Sequence, residues 1–371
     1  MFGRSQGRDN WETKVANNNE LRIAVLAGDG IGPEITAATV KVLKAAARRC
    51  GLAVKVKEAL IGWKAYEKHK TTLPEATLRV LREHEGWLVG PTYAGEYPKD
   101  DGYNGHPNGF LRQHFKLFAN VRPVKAWPQL NPLVADLDIT VLRENTQGFY
   151  PDRNMAWGYG EFKPSDDVAL SVRVITREAS ERFAKFAFDY AVTTRQARLF
   201  VAHKRTALIQ TDGLFISAFE RLQPKYKKVK MELVRIDTFA SSFPRDPHRF
   251  RLIATSNLFG DIMSDQASGL AGGIGMAPSL CAGPEHAYGQ AVHGTGPDIA
   301  GKGIANPSAL TLSTAMLLRW FFQRNGNRAC LDTADLIDAG LRAAIDKGTV
   351  TKDLGGNATT ESFAKAVISA M

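Results

Sequence analysis

The sequence predicts an α/β fold with a largely parallel sheet. Two observations carry that reading: short apolar runs with strand character alternate with helix-patterned segments, and several runs end in Gly- or Pro-rich turns. Leu21 to Leu26 (LRIAVL) reads as a short buried strand that ends in the turn AGDGIGPE. Pro33 falls where the first turn of a helix tolerates a missing N–H, and helical spacing continues from Ile35 to Ala47. Ala53 to Ala59 is the next strand, and Trp87 to Val89 runs into the loop GPTYAGEYP. Asp138 to Leu142 is a further strand, followed by what reads as a polar loop from Arg143 to Pro164. Leu199 to His203, Lys230 to Ile236 and Arg251 to Thr255 are later strands, each leading into a turn. Ser308 to Phe322 reads as a long apolar helix and Thr333 to Lys347 as an amphipathic one.

A chain of 371 residues can bury one large core or two smaller ones. No apolar run approaches the roughly 18 residues that cross a bilayer, so no membrane partner is expected. Residues 1–20 are polar, without an apolar stretch, and Asp9, Glu12 and Glu20 do not suit an acid-poor presequence; they read as a flexible N-terminal extension. Cys50, Cys281 and Cys330 are widely spaced, which suits a reducing cytoplasm and neither a disulfide framework nor a zinc site. The net charge of +10 is spread along the chain, and its densest run, Lys225 to Lys230, is short and interrupted. A nucleic-acid protein more often concentrates its basic residues. A diffuse positive field suits an enzyme with anionic substrate and cofactor. Charge alone leaves both open.

Four constellations carry chemistry. AGDGIGPE places glycines at 28, 30 and 32, but the third position of a GxGxxG fingerprint falls on Pro33 and no acid follows about 20 residues on. A tight strand-to-helix turn is the plainer reading. Asp261 and Asp265 stand four apart in NLFGDIMSDQASG; on a helix they share a face about 5–6 Å apart, with no Lys or Arg between them in sequence. Such a pair repels itself unless a cation lies against it, and hard oxygens suit Mg²⁺ or Mn²⁺, with Asp237 a plausible third ligand. Arg112, Arg122 and Arg143 sit at strand or turn boundaries, and together they would clamp a small polycarboxylate. Tyr150 and Lys204 are the candidate acid and base. In HGTGPDIAGKGIANP (293–307), Gly and Pro force a tight loop whose N–H groups can approach an anion. Asp298 there could accept from two ribose hydroxyls and would repel a 2′-phosphate, favouring NAD over NADP.

These segments together resemble the isocitrate/isopropylmalate dehydrogenase family of metal-dependent β-decarboxylating dehydrogenases. The resemblance spans Leu21 to Met371 and rests on GDGIGPE (28–34), LRxxxxLFANVRP (111–123), RENTQGFY (143–150), HK (203–204), NLFGDIMSDQASGLAGGIGMAPS (257–279), HGTGPDIAGKGIANP (293–307) and TKDLGGNATTESF (351–363). It implies two α/β domains sharing a twisted sheet, unlike a Rossmann domain. One would comprise residues 21–117 plus 273–371 and hold the cofactor; the other, 118–272, would carry metal and substrate and pair two subunits. The resemblance further implies a homodimer with shared active sites, in which Lys204 and Asp237 serve the partner's site. It assigns Arg112, Arg122 and Arg143 to substrate, Asp237, Asp261 and Asp265 to Mg²⁺ or Mn²⁺, Lys204 as base and Tyr150 as acid. NAD would lie on His293, Gly294, Thr295, Asp298, Ile299 and Asn306.

Three departures bear on the substrate. Thr206 stands where the family's HKxN motif has Asn, and Gln290 where an acid is usual three residues before the loop histidine. The segment GYNGHPNGFLRQ lacks the paired leucines of isopropylmalate enzymes. RENTQG and TDGLF favour the isocitrate branch, with homoisocitrate and tartrate relatives. A 3-isopropylmalate, tartrate or D-malate dehydrogenase is the alternative, and a catalytically silent regulatory subunit is the alternative of another class.

Overall fold

A computed structural model describes residues 19–98, 100–103, 105–150 and 160–371. The chain opens with β1 (Glu20–Leu26), α1 (Gly32–Arg49), β2 (Ala53–Ala59), α2 (Trp63–His69), α3 (Glu75–Arg82), β3 (Gly86–Val89) and α4 (Pro107–His114). Then come β4 (Ala119–Lys125), β5 (Asp138–Glu144), β6 (Glu161–Ser165), β7 (Val168–Ser171), α5 (Arg177–Thr193), β8 (Arg198–His203) and α6 (Ile209–Leu222). The remainder is β9 (Lys230–Arg235), α7 (Ile236–Ser242), β10 (Leu252–Thr255), α8 (Asn257–Leu270), β11 (Pro278–Ala282), β12 (Ala287–Ala291), α9 (Ser308–Asn325), α10 (Arg328–Asp346) and α11 (Thr360–Ala370).

Among the described residues ten strands form one sheet, ordered β2-β1-β3-β12-β11-β4-β5-β10-β8-β9. Two α/β domains share it, and each half is parallel. The centre is not: β12–β11, β11–β4 and β4–β5 pair antiparallel. The expectation of a largely parallel sheet holds for six of its nine pairings, and the antiparallel centre makes the sheet a mixed one. The three strands that join the halves escape sequence reading for a physical reason. Pro123 lies inside β4, yet the β4–β11 register ends at Val121, so that ladder needs no N–H from the proline. In β12, a Cβ on Gly289 would meet the Ser313 carbonyl oxygen at 2.8 Å, so close packing on α9 demands a small, weakly strand-forming residue.

Apolar faces divide into separate cores. Leu21, Val25, Leu317, Trp320, Leu341 and Phe363 pack α1, α9, α10 and α11 against one half of the sheet. Phe183, Phe186, Phe215 and Phe219 pack α5 and α6 on the other, and Phe239, Phe243, Phe250 and Met263 fill its opposite face. Each buried aromatic contributes on the order of 1.5–3 kcal/mol by leaving water.

Two boundaries move. Glu20 already belongs to β1, so the expected extension is shorter than 1–20, and residues 1–18 lie outside the described residues. The polar loop expected from Arg143 to Pro164 is also corrected. Arg143 and Glu144 complete β5, and Glu161–Ser165 forms an exposed antiparallel hairpin with β7. Residues 151–159 of that span lie outside the described residues.

Candidate active site

Asp261 and Asp265 lie on α8, where their spacing predicts a shared face. No Lys or Arg lies between them in sequence, but the fold brings two arginines against them from elsewhere in the chain. Arg143 Nη1 donates to Asp261 Oδ1 at 2.5 Å, and Arg122 Nη1 donates to the same oxygen at 2.9 Å and lies 3.8 Å from Asp265. Neighbouring antiparallel strands explain this: β4 carries Arg122, β5 carries Arg143, and α8 packs across both. Gly260 permits the approach, because a Cβ there would meet Cβ and Cγ of Arg143 at 2.8 Å. Arg143 Nε is fixed by Asn257 Oδ1 at 2.8 Å, and Arg122 Nη1 by Ser264 Oγ at 2.8 Å.

Two more expected residues join this cluster. The Tyr150 hydroxyl donates to Asp261 Oδ2, and the Arg143 guanidinium lies 5.3 Å from the Tyr150 ring centroid. Arg112, on α4, donates from Nε to the Tyr288 hydroxyl at 2.8 Å and from Nη2 to Gln290 Oε1 at 3.4 Å. Burial opposes ionisation of Asp261, but Arg143, Arg122 and the Tyr150 hydrogen bond outweigh it and hold its carboxyl well below the usual range. At Arg122 burial prevails instead, and with the like charge of Arg143 it lowers that guanidinium to about 10. Burial raises the Tyr150 phenol, with Arg143 opposing and Asp261 adding to the shift. Burial also raises the Asp265 carboxyl, Arg122 opposing and Asp261 reinforcing. Tyr150 thus stays a proton donor at neutral pH beside a carboxylate that stays ionised.

Lys204 and Asp237 form a separate group. β8 and β9 are parallel neighbours ending together, and Lys204 Nζ lies 3.0 Å from Asp237 Oδ2 in the first turn of α7. Among the described residues no three His, Cys, Asp or Glu side chains are arranged to hold a metal ion, so one chain does not gather Asp237 with Asp261 and Asp265. Asp237 is half exposed and paired to Lys204 instead. As a fit to a divalent cation, the chain supplies two hard carboxylates on one helix face, and Asp261 is held ionised.

The segment 293–307 lies between β12 and α9, seated on the AGDGIGPE turn. Thr295 O accepts the Ile31 N–H at 2.8 Å, and a Cβ on Gly30, whose φ is +55°, would meet Thr295 O at 2.2 Å. Gly303 N–H donates to Glu34 Oε2 at 2.8 Å. The glycine turn therefore acts as a support for the second loop, which agrees with the plainer sequence reading. A pocket of about 550 Å³ opens beside it, lined by Gly273, His293, Ile299, Ile304, Asn306 and Asp353 among others. That volume is in the range of small-molecule sites. Asn306 Nδ2 donates to Asp353 Oδ2 at 3.0 Å, while buried His293 Nε2 has no protein partner. Thr295 is buried, whereas Gly294 and Asp298 stand exposed on the loop. A polar atom orphaned in a pocket of this size fits a nucleotide-sized ligand.

The sequence profile of the isocitrate/isopropylmalate dehydrogenase family matches residues 22–367. The chain belongs to this family. It is 36% identical over 350 residues to an isocitrate/homoisocitrate dehydrogenase of Thermus thermophilus, covering 94% of this chain and 98% of that protein. It is 37% identical to a 3-isopropylmalate dehydrogenase of Archaeoglobus fulgidus, over 94% of this chain and 98% of the other. Its fold superposes on the crystal structure of isocitrate dehydrogenase from Methylococcus capsulatus with a TM-score of 0.85 at 35% identity, covering 94% and 99% of the two chains. Membership of the isocitrate/isopropylmalate dehydrogenase family makes the protein a dehydrogenase of the β-decarboxylating type, acting on a hydroxy-dicarboxylic acid. No helix among the described residues is long and apolar enough to cross a membrane.

For a member of this family, several residues support the site through contacts that the sequence alone does not reveal. Asn257 and Ser264 flank Asp261 at helical spacings of four and three, a signal the α8 pattern did contain. Tyr288 and Gln290 hold Arg112 from β12, a strand that was not recognised. Gln290 also donates to Gly90 O at 3.2 Å, so the residue that replaces the usual acid is a structural tie.

Proposed function

We propose that this chain catalyses NAD-dependent, Mg²⁺- or Mn²⁺-dependent oxidative decarboxylation of a 2-hydroxy-3-carboxy acid of the isocitrate type. One observation carries the reading: Arg112, Arg122, Arg143 and Tyr150 gather around the charge of Asp261. Three guanidiniums facing two carboxylates leave positive charge for the carboxylates of a substrate. When bound at Asp261 and Asp265 with a partner's Asp237, a divalent cation would stabilise negative charge on the substrate oxygens, and NAD would accept the hydride. Arg112, Arg122 and Arg143 orient the substrate through its carboxylates. Lys204 takes the hydroxyl proton. After CO₂ leaves, Tyr150 gives its proton to the carbon that lost it.

His293, Gly294, Thr295, Asp298, Ile299 and Asn306 are the residues proposed to bind NAD. The orphaned His293 Nε2 and the pocket beside it support this. The reading of a homodimer with shared active sites is supported by the Lys204–Asp237 pair standing apart from Asp261, and by an exposed hairpin carrying Phe162, Val168 and Leu170. The domain division at residues 117/118 and 272/273 belongs to the same proposal.

RENTQG has a structural role in placing Tyr150, whichever hydroxy acid is the substrate. Buried Glu144 accepts from the Thr146 and Gln147 N–H groups at 3.1 and 2.8 Å and fixes the turn that delivers Tyr150. The 3-isopropylmalate relative sustains the alternative substrate, with tartrate and D-malate behind it. Steady-state assay against these 2-hydroxy acids with NAD and Mn²⁺ decides among them. NADH and CO₂ should form in equal amounts and cease after EDTA treatment. Full activity in EDTA-treated enzyme would overturn the metal dependence, and no turnover with any acid would overturn the substrate class.

A further inference from the structure

Asp212 is 1% exposed in the first turn of α6, and its two carboxylate oxygens serve different partners. Oδ2 accepts the backbone N–H of Lys204 at 2.5 Å, and Oδ1 lies 2.7 Å from Arg173 Nη2. The Arg173 side chain is equally withdrawn from water, at 5% exposure. Its other contacts reach a second residue of α6 and two further segments. Nη1 donates to Thr211 Oγ1, Nη2 donates to Ser256 Oγ at 3.2 Å, and the guanidinium lies 5.4 Å from the Phe149 ring centroid. Ser256 immediately precedes α8, and Phe149 immediately precedes Tyr150. Next to Arg173, Gly148 and Val174 exchange backbone hydrogen bonds at 2.9 and 3.2 Å.

We infer that the buried Arg173–Asp212 ion pair is a positioning device for Lys204, fixing the end of β8 against the segments that bear Tyr150 and Asp261. Burying two charges is costly, and a pair that only filled space would be replaceable by apolar side chains. This pair spends one carboxylate oxygen on the backbone of Lys204. Among the described residues that amide has no other acceptor: β8 ends at His203, and the chain then turns, with Ala207 and Leu208 N–H both donating to Lys204 O at 2.9 Å. A long side chain places its terminal amine only as accurately as its backbone is held, and an error near 1 Å can cost about 10²-fold in rate.

The inference rests on the reading of Lys204 as the base, and the test keeps the two apart. Two charge-neutral double variants are compared: Arg173→Met with Asp212→Asn, which keeps an acceptor for the Lys204 N–H, and Arg173→Met with Asp212→Ala, which does not. Both remove the buried pair. The acceptor-keeping variant should retain at least ~10-fold higher kcat than the alanine variant, with KM values within about threefold of each other, because the loss falls on the chemical step and not on binding. A merely structural pair would give both variants the same kcat per folded enzyme, and that result overturns the proposal. Should the alanine variant fail to fold, Asp212→Glu replaces it. That change keeps the charge on Arg173 and displaces the acceptor by one methylene, so kcat should again fall at least ~10-fold; wild-type kcat there overturns the proposal. Lys204→Met, assayed in parallel, reports on the base itself: turnover at the wild-type rate would remove the basis of the Lys204 reading irrespective of the double variants.

Discussion

Tyr150 donates its hydroxyl to one oxygen of Asp261 while Arg143 and Arg122 hold the other. A single carboxylate thereby joins the candidate acid, two of the candidate substrate arginines and the candidate metal position. Burial alone would push that carboxyl up; its neighbours reverse the direction.

Asp261→Asn keeps the shape and removes the charge, leaving Arg122 and Arg143 with only Asp265, 3.8 Å from Arg122, to balance them. Activity should fall at least ~100-fold, because losing a ligand costs no less than the roughly 10–100-fold lost with a residue that only orients one, and added Mn²⁺ should restore little of it. The thermal midpoint should fall as well. A Mn²⁺ titration of kcat together with calorimetry checks both; near-wild-type kcat at high Mn²⁺ would contradict the account.

Gly260→Ala tests the close approach of α8 to β5. The added Cβ meets Cβ and Cγ of Arg143, atoms tied to the strand backbone and unable to swing away. Overpacking of this kind costs about 1–3 kcal/mol. Urea unfolding should show that loss, and KM for the hydroxy acid should rise as Arg143 shifts. Unchanged stability would mean that the helix has room to retreat.

Asp298 should set the choice of cofactor. A carboxylate facing the adenosine ribose accepts from its hydroxyls and repels an added phosphate. NAD should be preferred over NADP by at least ~10-fold in kcat/KM, since a charged hydrogen bond is worth roughly 1.5–3 kcal/mol. Asp298→Ser should narrow the ratio. Equal use of both cofactors by the wild type would mean that the loop is placed differently.

His293 gives a pH dependence of stability. Burial lowers its pKa, with the Gly294 carbonyl and Asp353 opposing. The unfolded value is about 6.5, so the folded state binds the proton less readily than the unfolded chain. The stability from a neutral His293 is therefore complete above pH ~6.5 and is lost as pH falls through the lower folded value. Between pH 8 and 5 the thermal midpoint should fall more for wild type than for His293→Gln. Parallel curves would contradict the assignment.

The sequence made the site's chemistry legible and concealed its assembly. Asp261 and Asp265 were readable as a pair because helical spacing is local. Their arginine partners were not, because Arg122 and Arg143 reach them through the β4–β5 pairing and the crossing of α8, contacts between residues 118 to 139 apart. Pro123 and Gly289 disguised β4 and β12, so the antiparallel centre of the sheet stayed hidden along with the contacts by which Tyr288 and Gln290 hold Arg112. The AGDGIGPE turn could be denied a Rossmann role from its spacing alone. That it supports Thr295 and Gly303 required the fold.

In the proposed reaction Lys204 removes the hydroxyl proton and Tyr150 delivers one to carbon, and supplying the 2-keto-3-carboxy intermediate tests both roles. Each acid–base group is worth about 10²–10⁴-fold, so each loss is measurable. Lys204→Met should form no NADH from the hydroxy acid yet still decarboxylate the supplied intermediate. Tyr150→Phe should retain more of the oxidation step and be slow to release protonated product from that intermediate. If both variants process the intermediate at the wild-type rate, Tyr150 is not the acid; if Lys204→Met oxidises the hydroxy acid normally, Lys204 is not the base.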